Sequence, residues 1–167
     1  MSQPQPSIPR PAADFRCALS NFATGVVAVA ALDPCGGQPI GLIANSFTSV
    51  SLSPPLVAFC VSTTSTTWRR LRRAHRLTFN ILAANQESLS RRLAAKGPDK
   101  FADVGWRRSP GGAPILDGVL AWLECGVRNE HLAGDHHIVV ADVHDHRVLH
   151  DGPPLTFFRS HYGEALP

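Results

Sequence analysis

A mostly antiparallel β-barrel with short peripheral helices is the architecture this sequence predicts. Short runs rich in valine, isoleucine and leucine recur along the chain, each bounded by Gly, Pro, Asn, Asp or Ser clusters that mark turns. One longer stretch alternates: Val119, Ala121, Leu123, Cys125 and Val127 interleave with Leu120, Trp122, Glu124, Gly126 and Arg128, the two-residue period of a strand. Segments with helical spacing are few. Closing such strands into a barrel removes exposed sheet edges.

The 167 residues suit one domain over about 12–167, preceded by a Pro-rich polar tail, Met1 to Pro11, that reads as disordered. That tail lacks the apolar core of a signal peptide, and no apolar run approaches the roughly 20 residues of a membrane span. A soluble, cytoplasmic protein without a membrane partner is expected. Cys17, Cys35, Cys60 and Cys125 are scattered, which argues for reduced thiols over a disulfide framework or zinc knuckle. The formal charge is +3, with one cluster at Arg69, Arg70, Arg72, Arg73 and Arg76. Without interleaved aromatics or a nucleic-acid module, that run reads as a solvated helix face, and no nucleic-acid partner is expected.

Taken in order, Asp14 can cap a short helix with Phe15, Ala18, Leu19 and Phe22 on one face, ended by Thr24-Gly25. Val26–Leu32 and Ile40–Ala44 form a hairpin across the turn chemistry of Asp33-Pro34-Cys35-Gly36-Gly37. Leu56–Val61 repeats the strand signal, Trp68–Ala74 is a short basic helix, and Leu77–Leu82 is strand again. A second helix runs from a cap at Asn85 through Leu89 and Leu93 to about Ala95, stopped by Gly97-Pro98. Residues 96–118 read as loop. After the alternating strand, His137–Val143, Arg147–Leu149 and Leu155–Phe158 read as further strands.

The stretch Pro39 to Thr67 organises the chain: an apolar run, a Ser/Thr/Asn-rich bend, Pro54-Pro55, a second apolar run and a hydroxyl-rich loop. Two buried strands that deliver hydroxyl and amide groups to one end of a sheet make a pocket for a polar, phosphate-bearing ligand with a flat apolar ring. The loop Ser62 to Thr67 precedes a predicted helix, whose N-terminal amides favour an anion. Its plain alternative is a surface turn with a helix cap. Arg91, Arg92 and Lys100 are candidates for added positive charge, against solvated roles for each.

The run Gly41-Leu42-Ile43-Ala44-Asn45-Ser46-Phe47-Thr48-Ser49-Val50-Ser51 with Pro54-Pro55-Leu56, then Leu123-Glu124-Cys125, then Gly134-Asp135-His136, resembles the flavin reductase family in order and spacing. These are short-chain NAD(P)H:flavin oxidoreductases, small partners of two-component flavin monooxygenases, and the resemblance runs from about Phe15 to Tyr162. It implies a split β-barrel of Greek-key type that binds FMN or FAD, a homodimer, NADH or NADPH as hydride donor, and a separate oxygenase that receives reduced flavin.

It also implies site residues. Gly41, Leu42, Ile43, Ala44, Asn45, Ser46 and Ser51 border the flavin; Cys60, Val61 and Ser62 end the neighbouring strand and offer backbone groups. Ser65, Thr66 and Thr67 belong to the phosphate side; Arg92 and Lys100, the candidates for added charge, and Phe101 count among the cofactor-binding residues. Gly134, Asp135 and His136 border the nicotinamide, and Tyr162 matches an aromatic position there, with plain packing as its alternative. His136 is the catalytic candidate in a positioning role, because hydride transfer needs no acid or base at the donor carbon. Adjacent His136 and His137 point to opposite faces of a strand, which disfavours a shared metal ion. Two rival functions keep the fold: a flavin-binding protein without useful reductase activity, and a split-barrel oxidase resembling the pyridoxamine-phosphate oxidases.

Overall fold

Residues 12–97 and 100–165 are described by a computed structural model of the chain. The tail of residues 1–11 and the helix stop at Pro98 lie outside the described residues. Helix α1, Ala12–Leu19, carries Asp14 within its first turn and so not as its cap, and it buries none of its residues. It ends before Thr24, because Thr24–Gly25 is strand β1. Strands β2 (Val27–Leu32) and β3 (Pro39–Ala44) form the expected hairpin. The bend after β3 contains an unexpected edge strand, β4 (Thr48–Leu52), paired with β5 (Pro55–Ser62).

Ser65 caps α2 (Thr66–Leu71) by accepting the Trp68 N–H at 3.1 Å. Strand β6 (Leu77–Ile81) follows, then a 3₁₀ turn at Ala84–Gln86 and α3 (Glu87–Ala94). Gln86, not Asn85, closes that start: its Oε1 accepts the Ala83 N–H at 3.0 Å. The segment expected as loop holds a small hairpin, β7 (Trp106–Arg108) with β8 (Pro114–Leu116). Strands β9 (Ala121–Ala133) and β10 (His136–Val148) form a long hairpin of 13 residues a side, absorbing most of the segment read as a separate strand at Arg147–Leu149. Strand β11 (Leu155–Phe158) pairs both β1 and a further strand, β12 (His161–Glu164).

The main sheet runs β3-β2-β6-β9-β10-β5-β4, every pair antiparallel. It is mainly β and barrel-like, but the hydrogen-bonded ladder is open between β3 and β4. Strand β2 shows why its sequence is apolar without alternation. Val27, Val29 and Ala31 face a core with Phe59, Trp68, Leu71 and Phe79, whereas Val26, just before the strand, and Ala28 face a second core with Leu82, Leu93, Leu116 and Trp122. Phe59 meets Trp68 and Phe79 edge-on at 5.3 Å each, a geometry that adds about 0.5–1.5 kcal/mol per pair beyond area burial.

A polar clamp fixes the β7–β8 hairpin to this sheet. Buried Asn80 donates to the carbonyls of Ala28 and Pro114, each at 3.3 Å, and accepts the Leu116 N–H at 2.9 Å. Thr78 donates to the same Pro114 carbonyl. Buried Glu124 accepts the Gly111 N–H at 2.8 Å and so holds the hairpin's turn. Beside it, burial first, then the charges of Glu124 and Asp142, pushes the Cys125 thiol up to about 12, so it stays protonated at neutral pH.

Candidate functional site

Ser46 anchors the bend after β3 to the end of β5. Its hydroxyl accepts the Cys60 N–H at 2.9 Å and donates to the Cys60 carbonyl at 3.1 Å. The alternation of β3 then sorts the predicted residues by face. Leu42 and Ala44 join the first core, while Ile43 packs with Phe101, Phe157 and Tyr162 against the second, and Asn45 is exposed beyond it. Gly41 lies on the Ile43 face, where a Cβ would come 2.9 Å from the Val29 carbonyl and 3.0 Å from the Phe101 ring. Only a glycine lets that ring close on the strand.

Two adjoining hollows follow from this arrangement. A cleft of about 510 Å³ is walled by Arg16, Leu19 and Phe22 of the α1 region, by Asn45 and Ser46, and by Phe157. A smaller hollow of about 210 Å³ shares Asn45 and Phe157 and adds Ile43 and Tyr162. Tyr162 is held from behind: its hydroxyl lies 3.0 Å from Ser90 Oγ, and the Arg91 guanidinium sits 4.8 Å from its ring centroid.

At the same end of β5, Ser62 pairs with His136, so the hydroxyl loop and the Gly134-Asp135-His136 turn are neighbours. Gly134 takes the positive φ (64°) that a two-residue hairpin connection requires. Thr63 donates both its N–H (3.0 Å) and its hydroxyl (3.1 Å) to the Asp135 carbonyl. The His136 Nδ1 lies 2.7 Å from Asp135 Oδ1. That hydrogen bond, then the charge of His136, holds the Asp135 carboxyl below its usual range, and the Arg16 guanidinium adds a smaller pull.

Other predicted residues serve neighbouring tasks. Val61 is buried in the first core, and Ser65 uses its hydroxyl on the α2 cap. Among the described residues no hydrogen bond uses the Thr66 or Thr67 hydroxyl. Arg92 donates to the Ala102 carbonyl, and Lys100 donates to the Leu93 carbonyl at 3.0 Å; burial lowers the Lys100 pKa. Both tie α3 to the loop that carries Phe101. Ser51 pairs with Leu56, roughly 20 Å along β5 from Ser62 at about 3.3 Å per residue.

Residues 19–166 match the family described as flavin reductase like domain. The chain belongs to that family. A flavin reductase of Pseudomonas putida is 42% identical over 149 residues, covering 89% of this chain and 87% of that one. The reductase subunit HsaB of a flavin-dependent monooxygenase from Rhodococcus jostii is 38% identical, covering 92% and 77%. The solved structure of the Streptomyces globisporus NADH:FAD oxidoreductase SgcE6, with NAD and FAD fragments, superposes with a TM-score of 0.86 at 33% identity, covering 93% of each chain.

This flavin reductase is an oxidoreductase whose cleft draws on residues the sequence reading passed over. Arg16, Leu19, Phe22, Phe157 and Arg159 line it beside Asn45 and Ser46. The one sequence signal was the apolar face of α1. Phe15, Leu19 and Phe22 stay 65%, 56% and 76% exposed, an apolar face turned to solvent and not to the core.

Proposed function

We propose that this flavin reductase passes hydride from NADH or NADPH to FMN, with FAD as the second choice, and delivers reduced flavin to a separate oxygenase in the cytoplasm. The observation that carries the reading is the cleft between α1 and the Asn45-Ser46 bend, joined by the Ser46–Cys60 hydrogen bonds to the end of β5 that pairs with His136. Its walls suit the group. Leu19, Phe22 and Phe157 offer apolar surface to a flat ring, Asn45 offers an amide to a polar edge, and Arg16 and Arg159 offer positive charge to phosphates.

Bound flavin supplies the hydride acceptor at its ring nitrogen N5. Within the chain, the backbone of residues 43–46 and 60–62 borders the ring, and the Thr66 and Thr67 hydroxyls donate to phosphate. His136, braced by Asp135, orients the nicotinamide at the barrel rim. Tyr162, fixed by Ser90 and Arg91, walls the far side of the smaller hollow. A homodimer covers the part of the α1 apolar face that lies outside the cleft, at exposed Phe15.

Absorbance spectra of the purified protein with FMN or FAD, then with each nicotinamide under anaerobic conditions, test the reading. Saturable flavin perturbation followed by bleaching of the oxidised flavin band is expected. Binding without bleaching would leave a flavin-binding protein and remove the reductase reading. Light scattering tests the dimer, which an 18.0 kDa particle with flavin bound would refute.

A further inference from the structure

We propose that a second cavity, at the foot of the long β9–β10 hairpin, binds a small planar organic anion: a single aromatic ring carrying a carboxylate. It lies between β7 and the last residues of β10 and encloses about 250 Å³. That is below the roughly 300–1,000 Å³ of sites for larger ligands, so one ring fits and a dinucleotide does not. His136 and Arg147 stand near opposite ends of a 13-residue strand, roughly 35 Å apart at about 3.3 Å per residue. The cavity also shares no lining residue with the flavin cleft or the smaller hollow beside it, and is separate from both.

Its floor is apolar and its rim cationic. Trp122 and Ile115, 5% and 2% exposed, form the floor. Arg147 is the cross-strand partner of Trp122, so its side chain rises from the same face as the indole. Arg107 of β7, cross-strand partner of Ile115, stands on that same face, and Arg108 and His146 also border the cavity, against one carboxylate, Asp145. Among the described residues no carboxylate lies within ion-pair distance of these three guanidiniums, whereas Arg70, Arg72 and Arg76 meet Asp33, Glu130 and Glu124. Arg108 makes only a 3.4 Å hydrogen bond to the Gly112 carbonyl. The buried indole N–H of Trp122 also has no acceptor among the described residues.

This combination selects a ligand class. Guanidinium forks bind a carboxylate through paired N–H donors and stack on aromatic faces, and an indole floor favours a flat ring over a hydrated inorganic ion. Benzoate is the probe, titrated into the full protein and followed by the Trp122 indole and the Arg107 and Arg147 amide signals in ¹⁵N NMR. Saturable shifts with a Kd in the millimolar range are expected, on the order of −4 kcal/mol. The Arg107→Gln/Arg147→Gln double variant should weaken binding roughly tenfold, about 1.4 kcal/mol. Both side chains are exposed, so the variant should keep the wild-type melting temperature. Arg147→Lys, which keeps charge and loses the fork, provides a second reading if the double variant misfolds.

Inorganic phosphate should bind more weakly than benzoate, and FMN should not displace benzoate. The proposal is overturned by an unshifted Trp122 signal up to about 50 mM benzoate, by equal affinity in the folded variants, or by displacement with FMN. Phosphate binding as tight as benzoate, or binding of an acidic polyglutamate peptide without benzoate, would also overturn it. The last result would make the cavity a protein-docking surface.

Discussion

At the foot of the β9–β10 hairpin, Trp122, Glu124, Cys125 and Ala141 are buried and each is fixed by what it packs against. At the tip, from His131 to Ile138, every residue is exposed except half-covered His137. One antiparallel ladder joins both ends, regular from Ala133–His136 to Asn129–Val140 and shifted in register at Val140/Ala141 and Val143/Asp145 toward the foot, and the surroundings differ more than the backbone does. At the foot, residue identity answers to packing and to buried hydrogen bonds. At the tip no packing constrains the Gly134-Asp135-His136 turn, which leaves its side chains available to a ligand. Foot substitutions should therefore act on stability and tip substitutions on chemistry.

The largest effect is expected beside the foot, where Asn80 pairs with Trp122 across the β6–β9 ladder. Asn80→Leu keeps the branched shape and the number of heavy atoms but adds bulk, strands the Leu116 N–H and removes donors from the Ala28 and Pro114 carbonyls. Chemical denaturation should show a loss of about 2–4 kcal/mol. Hydride transfer in the folded fraction should be unchanged. Slowed chemistry with intact stability would break the division between foot and tip.

His136→Ala should invert that pattern. Stopped-flow flavin reduction should slow ~10- to 100-fold, or about 1.4–2.8 kcal/mol of barrier, with melting temperature and flavin affinity barely moved. An unchanged rate at both subsaturating and saturating NADH, or a collapse of flavin binding, would show that the residue has another role. Next in size, Thr66→Val with Thr67→Val removes two hydroxyls at little cost in volume. Flavin affinity should fall roughly 5- to 30-fold, about 1–2 kcal/mol. Equal affinity would separate this loop from the phosphate.

The contrast also explains what could be read from the sequence. The β2–β3 hairpin, β5, β6 and the foot of β9 were legible because burial imposes apolar runs or alternation. Strand β4 was not, because its Thr-Ser-Val-Ser-Leu sequence lies on an edge, mostly exposed. The β7–β8 hairpin was hidden because strands of three residues are too short to show a period, and Asn80, Thr78 and Glu124 hold it through its backbone groups. Strand β12 follows a turn whose positive-φ residues are Arg159 and Ser160, where a glycine signal was absent. Motif resemblance supplied Asn45, Ser46, His136 and Tyr162. Arg16, Phe22 and Arg159 escaped because only the fold brings the α1 region to the β11–β12 turn, where the Arg159 N–H meets the Ser20 carbonyl at 2.9 Å.

The smallest effect, and the finest division of the tip, is expected from Asp135→Asn. In the folded chain the His136 hydrogen bond, then its charge, lowers the Asp135 pKa from its ordinary 3.8. A lowered carboxyl stabilises the fold above that unfolded value and loses the contribution as pH falls through the folded one, so the linkage acts only below about pH 4. With side-chain exposures of 47% for His136 and 94% for Asp135, solvent screens the pair. The melting temperature at neutral pH should not change. What the substitution alters is the aim of the imidazole, since an amide is a weaker partner for Nδ1. Hydride transfer should slow ~2- to 5-fold, less than in His136→Ala because the ring is still present. The double variant decides whether Asp135 works through His136: with the ring gone, removing its brace should cost nothing more, and the double should match His136→Ala alone. An equal further slowing in that background would assign Asp135 a contact of its own with the incoming nucleotide, and would divide the tip into two functional residues in place of one residue and its support.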